Sequence, residues 1–170
     1  MYNPGDYAVV SRYGVCRVDS IGHPSVSCAD PAVDYYRLCP VSENCVIYIP
    51  CNNSGECLRP VISREQALQL IRSIPAIRIS KVKDKQRTVR YKEAILSGRP
   101  DELLPVIMEI WQNNEDTVVK GKPIARITEA ELFRQAESLF NSEMGCALGC
   151  SACDIPGIIR EMLATSDMQK

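Results

Sequence analysis

Cys146, Cys150 and Cys153 form a C-x3-C-x2-C run near the end of this 170-residue chain. Three thiolates at that spacing can hold a 4Fe–4S cluster and leave one iron open, as radical enzymes that use S-adenosylmethionine do. Such a motif belongs on a loop early in a large α/β barrel, and this chain is too short for that barrel. The run falls instead between two helical stretches near the C-terminus. On a helical turn the same cysteines stand at i, i+4 and i+7 and pack as small hydrophobes. A zinc site needs a fourth ligand, and none is local. The single histidine, His23, is far away in sequence. The expectation is no metal and no cofactor, with Cys146, Cys150 and Cys153 kept as an alternative site.

Cys39, Cys45, Cys51 and Cys57 recur every sixth residue. Zinc sites pair cysteines more closely than this, so buried structural thiols are the expected reading. The total of nine cysteines is odd, which argues against a complete disulfide framework. Catalysis finds little to build on: one histidine, no Gly-rich phosphate loop, no His/carboxylate pairing. Asp101-Glu102, Glu129 and Glu131 read as acids complementing helix N-termini. The chain is expected not to be an enzyme.

The other chemical signal is basic. Residues 78–100 hold eight bases (Arg78, Lys81, Lys83, Lys85, Arg87, Arg90, Lys92, Arg99) against two acids, in a chain of net charge −1. Residues 101–170 hold twelve acids against six bases. A local basic patch in a neutral chain suits phosphate contact with nucleic acid, and it also suits a solvated helix face. Lys81, Lys83, Lys85, Arg87, Arg90 and Lys92 are the candidate DNA-binding residues.

The elements that must position these groups divide the chain. Alternating apolar runs, Tyr7 to Ser11, Val15 to Ile21, Asp34 to Cys39, Cys45 to Pro50 and Leu58 to Ile62, are separated by Gly, Pro, Asn and Asp. They predict a compact antiparallel β-barrel or meander over residues 1–62. Ser63-Arg64-Glu65-Gln66 predicts a capping box opening a helix that Pro75 stops. Residues 63–85 form a capped helix and basic linker, and residues 86–170 a four-helix domain with a cysteine-containing tail. Its helices are expected around Val89, Ala94, Ile95 and Leu96, ending at Gly98, and then from Pro100 with a stripe of Leu103, Leu104, Ile107, Met108 and Trp111. Pro105 fits there only within the first turn. Asn113 to Lys122 reads as a polar loop and Thr128 as the next N-cap, before Leu132, Ala136, Leu139 and Phe140. Asp154 reads as the cap of a last helix with Ile155, Ile158, Ile159, Met162 and Leu163. Trp111, in phase with Leu104 and Ile107, reads as core. The fold class is α+β, a small antiparallel β-domain followed by an all-helical domain. No apolar run nears the roughly 18 residues of a membrane span, and the start lacks a signal-peptide pattern. A cytoplasmic protein with reduced thiols is expected.

In order and spacing the motifs resemble the CarD family of bacterial transcription regulators. They are Gly5-Asp6-x-x-Val9, Tyr13-Gly14-Val15, Asp34-Tyr35-Tyr36, Val46-Ile47-Tyr48-Ile49-Pro50 and Leu58-Arg59-x-Val61-Ile62-Ser63. The second half adds Arg87, Ser97-Gly98, Glu109-Ile110-Trp111, Glu129, Ala136, Leu139 and Glu143. The resemblance spans about residues 1–145. It implies a Tudor/SH3-like barrel as the first domain, which binds the RNA polymerase β subunit, in part by strand addition through Val46, Ile47, Tyr48, Ile49 and Pro50. It also implies a helical domain that binds promoter DNA at the upstream edge of the transcription bubble and steadies the open complex. This chain departs from the pattern twice. Asp84 or a neighbour stands where many members carry a wedge tryptophan, and Tyr48 stands where many carry a base. A metal-binding or redox-sensing protein using Cys146, Cys150 and Cys153 is the alternative. A protein-only adaptor that lacks DNA contact is a third reading.

Overall fold

The computed structural model describes the backbone of residues 1–24, 27, 29–77, 84–119 and 127–167; side chains are described for these except 53, 56, 84, 85, 113–119, 127–129 and 165–167. The chain divides into two units, Met1–Val61 and Ile62–Lys170. The class is α+β: a curled sheet, then helices.

The first unit is a five-stranded antiparallel half-barrel. Its strands are β1 (Tyr7–Val10), β2 (Gly14–Gly22), β3 (Tyr35–Pro40), β4 (Ile47–Pro50) and β5 (Leu58–Pro60). Their spatial order is β4-β3-β2-β1-β5, so β4 and β5 are the two edges. Period-2 alternation sends Ala8, Val10, Cys16, Val18, Tyr36, Leu38, Ile49 and Leu58 to one buried face. A register shift between Val18 and Ser20 marks a bulge in β2, which tightens the local twist. Tyr2 closes part of the core, its ring edge-on to Tyr36 at 6.0 Å and its backbone N–H donating to the Tyr36 hydroxyl.

Among its described residues the second unit holds five α-helices: α1 (Arg64–Ser73), α2 (Asp84–Ser97), α3 (Pro100–Val119), α4 (Ile127–Leu148) and α5 (Ile155–Asp167). The capping box at α1 forms as expected. Ser63 Oγ accepts from the Gln66 N–H at 3.2 Å, and Gln66 Oε1 accepts from the Ser63 N–H at 2.8 Å. Ala67, Ile71 and Ile74 pack with Tyr91, Ala94 and Ile95 of α2, Leu103, Leu104, Val106 and Ile110 of α3, and Leu132, Ala136, Leu139 and Phe140 of α4. Gly98 ends α2 at φ +62°, a conformation open to glycine at little cost.

Several sequence expectations need correction. Val89 and Leu96 are exposed, and Tyr91 takes the buried place on α2. Trp111 is 52 % exposed and is not core; the stripe of α3 runs through Leu103, Val106 and Ile110, one helical row away. Pro105 sits beyond the first turn, inside α3, where its ring nitrogen has no hydrogen for the carbonyl four residues back. The segment from Asn113 is not a loop, because α3 continues to Val119. No Gly or Pro interrupts it between Pro105 and Gly121. Thr128 is not an N-cap, since α4 is already under way at Ile127. The last cap is Ser151 rather than Asp154. Asp154 is its reciprocal partner, accepting from the Ser151 N–H at 3.3 Å ahead of a 3-10 turn, Ala152–Asp154, that leads into α5.

Candidate protein-docking edge and basic segment

Strand β4 is short because Pro50 closes it, and it lies at the sheet edge because the chain then turns away through Cys51–Asn53. Among the described residues it pairs only with β3, in the register Leu38↔Ile47, Arg37↔Tyr48, Tyr36↔Ile49 and Tyr35↔Pro50. Ile49 is buried, Ile47 is half-buried against the core, and Tyr48 is 38 % exposed on the outer face. Val46, just before the strand, is also exposed. The opposite edge, β5, is three residues long and ends in Pro60, a poor template for another strand.

Beside β4 an open pocket is lined by Ser20, Ile21, Gly22, His23, Tyr35, Arg37 and Tyr48. Arg37 stands directly across from Tyr48. A hydrogen bond with the Tyr48 side chain, then the charge of Asp19, push the Arg37 guanidinium up from its ordinary range. Arg37 and Asp19 are ion-paired, and Arg17 approaches the same carboxylate at 3.7 Å. His23 is held by the Val33 carbonyl at 3.0 Å and lies 3.7 Å from Asp34.

The basic residues are less alike than their sequence suggests. Lys81 and Lys83 lie outside the described residues. Lys85 falls on α2, its side chain outside the description. Arg87 is half-buried, and Lys92 is exposed. Arg90 is ion-paired with Glu109, whose side chain is 3 % exposed.

The three cysteines of the C-terminal run differ in exposure. Cys146 and Cys150 are half-buried and Cys153 is exposed. Burial, then the Glu143 charge, push the Cys146 thiol up. Among the described residues no group of three or more His, Cys, Asp or Glu side chains is placed to hold a metal ion. The six-residue cysteine series is not uniformly buried: Cys39 and Cys51 are half-buried, while Cys45 and Cys57 are exposed. Intervening loops break the even phase, and among the described cysteines Cys16, outside the series, is the buried one.

Two carboxylates named in the resemblance, Glu109 and Glu143, are buried, which the sequence reading did not anticipate. Glu109 faces Arg90, and Glu143, 1 % exposed, accepts the Ile62 N–H at 3.2 Å. Each follows a run of apolar positions at helical spacing, Val106 before Glu109 and Phe140 before Glu143. An acid in such a phase is the signal that could have found them.

Residues 2–62 match the family model described as CarD-like/TRCF RID domain. The match supports a CarD-like assignment. It coincides with the β unit and so with the exposed β4 edge. The CarD-like domain is a protein-interaction module rather than a catalytic one, and it supports interaction with RNA polymerase in a transcription-related protein. No curated protein matches the chain. Among the described residues no helix is long and apolar enough to cross a membrane.

Proposed function

We propose that this protein is a transcription regulator that docks on the β subunit of RNA polymerase through its CarD-like unit and contacts promoter DNA through its basic segment. The observation that carries the reading is the coincidence of the matched residues 2–62 with a half-barrel whose β4 edge is exposed. An exposed strand edge is a template for a partner strand. Exposed Val46 and Tyr48 add apolar surface beside it. The DNA contact rests on charge alone: Lys81, Lys83, Lys85, Arg87 and Lys92 lie close together in the sequence. Contacts of this kind go to phosphates and serve position rather than sequence. Held by the polymerase on one side and by DNA on the other, the protein alters the lifetime of the open promoter complex.

Calorimetric titration of the full chain into the isolated β lobe tests the docking. Saturable one-to-one binding supports it, and a folded sample that gives no heat overturns it. Binding to duplex DNA tests the second contact. Affinity is weak and falls steeply with salt as counterions are released, and Lys92→Glu lowers it further. A DNA affinity that ignores salt removes the basic segment from the function.

A further inference from the structure

The pocket on the outer face of the half-barrel has a volume of about 310 Å³. Cross-strand pairing builds it. Ser20, Arg37 and Tyr48 stand abreast on β2, β3 and β4, and Tyr35, opposite Gly22, lies two residues before Arg37 on the same face. The neighbours of each polar group decide which way it can bond. The Tyr35 hydroxyl accepts the Asp30 N–H at 3.1 Å. The Tyr48 hydroxyl bonds the Arg37 guanidinium, which has only hydrogens to give, so Tyr48 accepts there too. Each phenol thus keeps one O–H to donate elsewhere. The guanidinium has five N–H groups, and Asp19 and Tyr48 engage only part of that fork. Ser20 adds another hydroxyl. His23 is already engaged: Nδ1 gives its hydrogen to the Val33 carbonyl at 3.0 Å, and Nε2 lies 3.7 Å from Asp34. Among the described residues no carboxylate lines the pocket.

We infer that this pocket binds a phosphoryl group, carried by a small organic monoester or as the free ion, through Arg37 and the hydroxyls of Ser20, Tyr35 and Tyr48. A lining of donors calls for a ligand made of acceptors. An ammonium or an amide N–H leaves those donors unmatched and meets the guanidinium charge. A phosphoryl group presents three oxygens in three directions, enough for donors that converge from three strands, and the arginine fork suits two of them at once. A carboxylate has two oxygens in one plane and leaves part of the lining unused. Ile21, Pro24 and the tyrosine rings supply apolar wall for an organic remainder. Asp19 competes for the same guanidinium, and the pocket is open, so affinity is modest, with Kd on the order of 1 mM. The site needs neither polymerase nor DNA and stands apart from the docking reading above.

Amide NMR titration of the full chain with sodium phosphate at neutral pH, against sodium chloride at equal ionic strength, tests the site. Phosphate moves the amides of Ser20, Gly22, Arg37 and Tyr48 along a saturating curve, and chloride does not. Arg37→Gln, folded by the same spectrum, weakens binding about tenfold or more, as loss of a charge-assisted bond requires. Tyr48→Phe, which removes one O–H, weakens it about threefold. Asp19→Asn releases the guanidinium and tightens binding about threefold or more, a gain that misfolding cannot imitate. Phenyl phosphate in place of phosphate separates the two sources: tighter binding marks an organic monoester, and equal binding marks the free ion. Shifts that chloride reproduces, or that never saturate, overturn the inference. So does wild-type affinity in Arg37→Gln, or an Asp19→Asn chain that binds no tighter. Acetate that binds as tightly as phosphate overturns the assignment to a phosphoryl group.

Discussion

Arg90 of α2 is ion-paired with Glu109 of α3, and the carboxylate is 3 % exposed while the guanidinium side chain is 38 % exposed. A carboxylate so far from water needs its partner, because desolvation is repaid only while the pair is intact. Arg90→Ala therefore destabilises the helical unit toward the lower end of the about 3–5 kcal/mol seen for breaking buried pairs, given the partial exposure of Arg90. Urea denaturation reads this, and Arg90→Ala together with Glu109→Leu recovers most of it. A DNA-binding loss in Arg90→Ala alone is thus a stability effect until shown otherwise. Lys92→Glu is the cleaner probe of DNA contact.

The Ser63–Gln66 capping box satisfies two backbone donors at the start of α1. Ser63→Ala leaves the Gln66 N–H without its oxygen and costs about 1 kcal/mol. Ser63→Asp keeps an acceptor and adds a charge suited to the helix N-terminus, so it stays near wild type. Thermal melts of the two variants separate these outcomes.

What the sequence made legible follows from how local each signal is. The five strands, the Ser63 cap and the Gly98 stop rest on a few adjacent residues, and each is present in the fold. The buried rows of α4, Leu132, Ala136, Leu139 and Phe140, follow from helical period alone. Trp111 misled because its phase matched Leu104 and Ile107, whereas burial depends on which neighbouring helix covers that row. Asn113 to Val119 misled because polar composition was read as a loop where nothing breaks a helix. The β4 segment was named from resemblance, but its place at a sheet edge is set by strand order, a long-range property. Arg90 was counted as a free charge because its partner Glu109 is nineteen residues away.

Gly145 lies where the chain leaving α4 crosses back over the helix. A Cβ there falls 2.9 Å from the Cys150 carbonyl oxygen and 3.1 Å from the Ala152 nitrogen, both backbone atoms that cannot swing aside. The Gly145 carbonyl also accepts from the Gly149 and Cys150 N–H groups at 2.9 and 3.0 Å, so a shift of this turn breaks the end of α4. Gly145→Ala costs about 1–3 kcal/mol, the range for overpacking. Gly157→Ala is the control. It lies in α5 with nothing within 4 Å of its added carbon, and it is neutral or stabilising by up to about 1 kcal/mol. Equal melting temperatures for the two variants contradict the close approach at Gly145.

Burial, reinforced by nearby Cys45, Cys39 and Glu43, pushes the Cys16 thiol up to about 12 from 9.0. The folded β unit therefore keeps the Cys16 proton at a pH where the unfolded chain releases it. The unfolded state then binds fewer protons, so stability is full below pH 9 and falls as pH rises toward about 12. The slope approaches about 1.4 kcal/mol per pH unit, or about 2 kcal/mol lost by pH 10.5 from this group. Tyrosines and lysines titrate over the same range, so the comparison is with Cys16→Ala. That variant is less stable at neutral pH through the lost sulfur, and its decline above pH 9 is shallower by the Cys16 share. Parallel pH profiles for the two proteins would mean that Cys16 ionises alike in both states. Alkylation followed by mass spectrometry gives an independent reading: exposed Cys45, Cys57 and Cys153 react first, and Cys16 reacts only with unfolding.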